Sequence, residues 1–208
     1  MGKTLKGIES MTRSADEIIL AHLVGKHKKE FQSECEKEKR NSMHKIELRT
    51  IIVIETCTLI EALANLYLAL KCDAELFTSL ENVRLLEKWC SIPRVFNPKY
   101  KLDKNTVLYM NLNNLIQRRN LIVHYKPAIV KSGVTIHKGK FPKKSNNEDK
   151  LILAFTQLPI QLLDNLKKYD DCMSVETAQV RGIINGPIFI RQIIRKHDKT
   201  KQERSPAK

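Results

Sequence analysis

At 208 residues the chain is long enough for one well-cored domain with decorations and short for two, and with 42% hydrophobic residues it can bury a core, which excludes disorder as a whole. The formal charge of +14 at pH 7 points to a polyanionic partner. Seven glycines and seven prolines are few for this length, which disfavours a strand-and-turn architecture and predicts long helices.

The first helix is predicted to start at a capping box, Ser14 with Glu17, and to turn Ile18, Ile19, Leu23 and Val24 toward the core, leaving residues 1–13 as a flexible N-terminus. The charged stretch from Lys26 to Arg40 either extends this helix or turns exposed. A second helix, from about Lys45 to Leu70, follows from apolar residues recurring at helical spacing. At about 100° per residue, Glu55, Thr58, Glu61, Ala62 and Asn65 fall within roughly 120° of one another, a polar stripe on an otherwise apolar helix. Either the stripe is a solvated face or it supports a site or interface. A third helix, Ser79 to Cys90, gathers Leu80, Val83, Leu86 and Trp89 on one face and is expected to stop before Pro93.

A basic linker, Arg94 to Lys104, leads to a fourth helix running from Asn105 toward Tyr125, with Leu108, Leu112, Leu115 and Ile122 apolar and Pro127 as its stop. From Ala128 to Lys150 apolar and polar residues alternate around Gly133 before the chain turns lysine-rich, which predicts a short β-hairpin or an ordered basic loop. Leu151–Tyr169 and Ser174–Ile184 are again helical, with Pro159 marking a start or a kink. A last short helix is expected from Pro187, and residues 195–208 read as a basic, disordered tail. The chain is therefore expected to be all-α.

Cys35, Cys57, Cys72, Cys90 and Cys172 are odd in number, widely spaced and without histidines at ligand spacing, so they read as reduced core thiols in a cytoplasmic protein. The N-terminal MGKTLKGIES lacks the apolar core of a signal peptide, and Lys6 stands where a myristoylation motif wants serine or threonine. The apolar stretch Ile51–Leu70 is interrupted by Glu55, Glu61 and Asn65, costly groups in lipid, so it is expected to be a core helix and no membrane partner is expected.

Charge is concentrated in the middle of the chain. Between Arg94 and Lys144 stand twelve basic residues against one acid, Asp103. Such a run is often only a solvated face, but here it encloses a chemically equipped helix end, Gln117-Arg118-Arg119-Asn120-Leu121-Ile122-Val123-His124-Tyr125-Lys126-Pro127, which favours RNA as the partner. Histidine moves a proton near neutral pH, and a guanidinium holds the extra negative charge of a pentacoordinate phosphate. No carboxylate cluster for magnesium and no cysteine or second histidine for zinc stands nearby, so neither metal nor cofactor is expected. Asn120 and His124 share a face at i and i+4, whereas Arg119 and His124 lie about 140° apart on an ideal helix. Arginine's reach closes that gap, or a second copy of the same helix completes the site, and the second arrangement, a homodimer, is the expectation.

The segment Arg119-Asn120-x3-His124 is similar to the motif of the HEPN (higher eukaryotes and prokaryotes nucleotide-binding) superfamily, an arginine and a histidine separated by four to six residues, usually with a polar residue after the arginine. A leucine-patterned helix before it (LNNLIQRRNLIVHYKP), the proline after it, the glutamate-containing second helix and the upstream ENVRLLEKWCSIPRV with Trp89 and Pro93 resemble the same family over roughly residues 10–185. Arg191 and His197 repeat the bare spacing in the tail without these flanks. The resemblance implies an antiparallel helical bundle over about residues 14–194, a homodimer with facing motifs, and metal-independent endoribonuclease activity in active members, many of them toxins of toxin-antitoxin systems or effectors of defence against phage. It thereby also implies an antitoxin or defence protein as a partner. One toxin subgroup carries tyrosine two residues after the histidine; here Tyr125 is adjacent and Lys126 takes that place.

In this reading His124 carries the proton, Arg119 stabilises the phosphorane and Asn120 orients one of them, with Glu55 and Glu61 in support. Arg118, Tyr125, Lys126, Lys138, Lys140, Lys143 and Lys144 are candidate RNA contacts. Bland alternatives stand beside each: a helix-end histidine satisfied by a carbonyl or water, an ion pair of Arg119 with Glu55 or Glu61, an asparagine that merely caps. The competing functions are a dimeric helical module that binds RNA or a nucleotide without cutting, and a protein-interaction role whose partner would have to be acidic.

Overall fold

The computed structural model describes residues 3–37, 42–124, 128–130, 133–135 and 148–186. Eight helices occupy nearly all of this, and the fold is an all-α bundle. The helices are α1 (Lys3–Glu36), α2 (Met43–Lys71), α3 (Ala74–Leu80), α4 (Leu85–Phe96), α5 (Val107–Val123), α6 (Glu148–Phe155), α7 (Leu158–Lys167) and α8 (Ser174–Asn185). Between α5 and α6 lies one short antiparallel pair, β1 (Ala128–Val130) with β2 (Gly133–Thr135), in register with Ile129 opposite Val134. The expected hairpin is thus present. Tyr125, Lys126, Lys138, Lys140, Lys143 and Lys144, the expected helix from Pro187, the Arg191/His197 pair and the tail lie outside the described residues.

Helix α2 is the hub. It is long and apolar enough to cross a membrane by length and composition alone. In this fold, however, Leu48, Ile52, Leu59, Ile60, Leu63 and Leu68 are all but fully buried, and α2 packs against α1, α4, α5, α6 and α7. Each such side chain contributes about 1.5–3 kcal/mol by leaving water. Ser42 caps its N-terminus, its side chain accepting from the Lys45 amide at 3.1 Å. Glu34 meets Ser42 across the connection while His27 meets Glu55 further along, so α1 and α2 run in opposite directions.

Several boundaries differ from those expected. Helix α1 begins at Lys3, not Ser14, because residues 3–13 contain no proline to stop it, and the charged stretch beyond Lys26 extends it to Glu36. The predicted third helix is two. Asp73 caps α3, accepting from the Leu76 amide at 2.9 Å, and a turn over residues 81–84 separates it from α4. Likewise the stretch expected to be one helix up to Tyr169 divides at Thr156-Gln157, with Pro159 in the first turn of α7. A proline there has no N–H for the Phe155 carbonyl, so the α6 ladder ends.

Helix α4 does not stop before Pro93 but runs through it to Phe96. Proline at this position deprives the carbonyl of Trp89 of its helical donor. The Tyr100 hydroxyl supplies the replacement, donating to that carbonyl at 2.9 Å, and the Trp89 indole N–H donates to the Ile60 carbonyl at 3.2 Å. Both rings are essentially buried, so the sequence's basic linker carries two core residues, Tyr100 and Leu102. We expect Tyr100→Phe to cost about 1–3 kcal/mol in denaturant unfolding by orphaning a buried carbonyl. The same change in a Pro93→Ala background should cost less, because alanine restores the helical N–H; equal costs in both backgrounds would show that the hydroxyl does not substitute for it.

Candidate functional site

The motif lies at the C-terminal end of α5. Thr106 starts this helix by accepting from the Tyr109 amide, and Leu112 and Leu115 anchor it in the core. Its last turn closes with the His124 amide donating to the Asn120 carbonyl at 2.9 Å, and His124 is the C-cap, with φ −108° and ψ 30°. The backbone therefore leaves the helical path at His124, and its side chain is exposed. Asn120 is exposed as well and Arg119 half-buried; the Arg119 guanidinium donates to the Asn120 amide oxygen at 3.2 Å.

Arg119 leans toward α2. Burial pushes the Cys57 thiol up to about 11, and the charge of Arg119 opposes that rise. Among the described residues no carboxylate forms an ion pair with Arg119, and no hydrogen bond or ion pair joins its side chain to His124. The structure thus joins the Arg119 and Asn120 side chains, while His124 meets Asn120 through its backbone amide alone among the described residues.

The two glutamates expected in support are engaged elsewhere. Glu55 pairs with His27 of α1 at 2.8 Å, both side chains about 15% exposed; burial, only partly offset by His27, raises the Glu55 carboxyl above its usual range. Glu61 lies 3.8 Å from Lys88, whose ammonium also donates to the Asn65 side chain at 2.7 Å. The Lys88 side chain is 1% exposed, and burial lowers its pKa against the pull of Glu61. The polar stripe of α2 is therefore a row of partners for α1 and α4, with Thr58 folded back onto the Ile54 carbonyl. Among the described residues neither glutamate forms an ion pair or hydrogen bond with Arg119, Asn120 or His124.

Arg118, expected on RNA, turns to the other side of α5. It donates to Glu148 at 3.2 Å and lies 5.9 Å from the Phe155 ring centre. Glu148 also faces Arg49, and Asp149 pairs with both Arg49 at 2.6 Å and Lys45 at 2.7 Å. Nothing in the local sequence marks these groups as a cluster, because Arg49 and Asp149 stand a hundred residues apart. The one legible hint is that Lys45 and Arg49 stand at i and i+4 on α2. The cysteines are all free, but only Cys57 is a buried thiol and Cys172 is exposed.

Burial raises the pKa of Asp149, but hydrogen bonds from Lys45 and Arg49 outweigh it and hold the carboxyl below its usual range. A depressed carboxyl pKa stabilises the fold above the unfolded-state value of about 3.9, and that contribution is lost as pH falls through the lower folded-state value. Asp149→Asn should therefore lower Tm at neutral pH, with a deficit that shrinks once the pH drops below about 4. A deficit equally large in acid would mean that the ion pairs do not carry it.

Comparisons of this chain with protein-family models, with curated proteins and with solved structures find no match, so the residues and their geometry carry the functional reading.

Proposed function

We propose that this chain is a metal-independent endoribonuclease of HEPN type that works as a homodimer in the cytoplasm. The observation that carries this reading is an arginine without a carboxylate partner among the described residues, bonded to Asn120 at an exposed helix end whose cap is His124. In a fold where Glu55, Glu61, Glu148 and Asp149 each serve another cation, Arg119 keeps its charge available. Its planar donors suit the equatorial oxygens of a phosphorane, and Asn120 holds the guanidinium in place. His124, exposed at the helix end, takes the proton of the RNA 2′-hydroxyl or returns one to the leaving oxygen.

That no bond joins the Arg119 and His124 side chains among the described residues, and that they diverge by about 140° on an ideal helix, favours a dimer: a two-fold axis near the end of α5 would set the histidine of one copy against the arginine of the other. Exposed apolar side chains within the motif helix end, Leu121 and Val123, are available for such an isologous contact. The same separation also fits a module that binds RNA without cutting it. A role as a toxin or defence effector, held by an antitoxin, follows from the HEPN reading and shares its fate.

Cleavage of RNA should persist in EDTA, leave 2′,3′-cyclic phosphate ends and spare DNA, which lacks the nucleophile. His124→Ala should lower kcat by about a hundredfold or more while leaving RNA affinity nearly unchanged, because the imidazole acts on the transition state and holds little of the phosphate. Arg119→Lys should fail as well, since a point charge does not copy the fork of donors. A dimer that binds RNA and never cuts it, or a His124→Ala variant as active as wild type, would establish the binding module instead.

A further inference from the structure

Away from the motif, three cations converge on two carboxylates. Lys45 and Arg49 from α2 and Arg118 from α5 surround Glu148 and Asp149 in the first turn of α6, and their side chains are 7%, 18% and 17% exposed. All four carboxylate oxygens are in use: Glu148 Oε1 takes Arg118, Glu148 Oε2 and Asp149 Oδ1 take Arg49, and Asp149 Oδ2 takes Lys45. One donor is left over. Arg49 Nε is buried and has no partner among the described residues. The cluster thus has one positive charge and one buried N–H more than its own acids satisfy.

Stability alone is a poor explanation for such a cluster, since withdrawing its charges from water costs about as much as their attraction returns. Guanidinium groups present the same fork to a carboxylate and to a phosphate, and a phosphate brings a further oxygen. The element that supplies the acids is short: α6 has eight residues, of which Ile152 and Phe155 are buried toward its C-terminal end, and the chain turns immediately after it.

We propose that Lys45, Arg49 and Arg118 form a phosphate-binding site for the RNA backbone, filled in this structure by Glu148 and Asp149, so that the first turn of α6 must lift for RNA to enter. The proposal rests on the RNA reading for its ligand. Arg118 adjoins Arg119 in sequence but takes a different partner, Glu148 rather than Asn120, so the site lies on another side of α5 from the motif. It reconciles the expected RNA role of Arg118 with its observed ion pair: the arginine is a phosphate ligand whose place is held by an acid of its own chain.

The test uses Glu148→Gln/Asp149→Asn, which keeps the shape of α6 and removes its charge, in the full chain carrying His124→Ala so that RNA is not consumed. Calorimetry with inorganic pyrophosphate comes first. The double variant should bind it at least about tenfold more tightly than the His124→Ala parent, and adding Arg49→Ala should abolish the gain. Fluorescence anisotropy with a short single-stranded RNA should show a gain of similar size and a salt dependence steeper by about one phosphate contact. Glu81→Gln/Glu87→Gln, the same charge change at exposed positions around the start of α4, is the control and should gain much less. If the double variant unfolds, Asp149→Asn alone, which leaves Glu148 on Arg118, is expected to give a smaller gain that also depends on Arg49. Gains no larger than the control, or gains that survive Arg49→Ala, overturn the site. A gain for pyrophosphate with none for RNA overturns the RNA assignment while leaving a phosphate site, and RNA binding by none of the proteins refutes the functional reading separately.

Discussion

The burial of one arc of α2 is the constraint on which the rest of the structure depends. Twenty-nine residues of mostly apolar helix have no stable place in water unless other helices cover them, and α1, α4, α5, α6 and α7 do so together. The direction of α5, and with it the position of Arg119 and His124, follows from packing Leu112 and Leu115 onto that core. The irregular run after Phe96 is tied back to α4 by Tyr100, whose hydroxyl donates to the Trp89 carbonyl that Pro93 leaves without a helical donor.

Covering α2 also draws charges out of water, and the charges must then find partners. Lys88 reaches Asn65 and Glu61, Lys45 and Arg49 reach Asp149, and His27 reaches Glu55. With 37 basic residues against 23 acids the chain cannot pair every cation. Glu55, Glu61, Glu148 and Asp149 are each engaged with other cations, and Arg119, half-buried at a helix end, has an amide oxygen as its partner. Its availability for an anionic ligand is thus a consequence of how the interior distributes its carboxylates.

Helices α2, α5 and α8 were legible because their apolar residues recur at helical spacing and no proline falls inside them. Where a proline falls inside a helix, local rules decide only half the matter: Pro159 does end α6, whereas Pro93 is tolerated because of a tyrosine seven residues on that no local pattern announces. Arg119, Asn120 and His124 were legible as a motif, and the bond between the first two follows from adjacency. The partners of Glu55, Glu61 and Arg118 were not. They come from helices 28, 27 and 30 residues away in sequence, and helical periodicity describes the face a residue is on without saying which element meets it.

On the function proposed above, a second copy completes the site, His124 of one chain acting with Arg119 of the other. Mixing Arg119→Ala with His124→Ala, each inactive alone, tests this most directly. In a mixed dimer one composite site retains both groups and the other loses both, so free exchange of subunits should restore about a quarter of the wild-type cleavage rate. A mixture that stays inactive under conditions where wild type cuts RNA would place both groups of the site within a single chain and contradict the account.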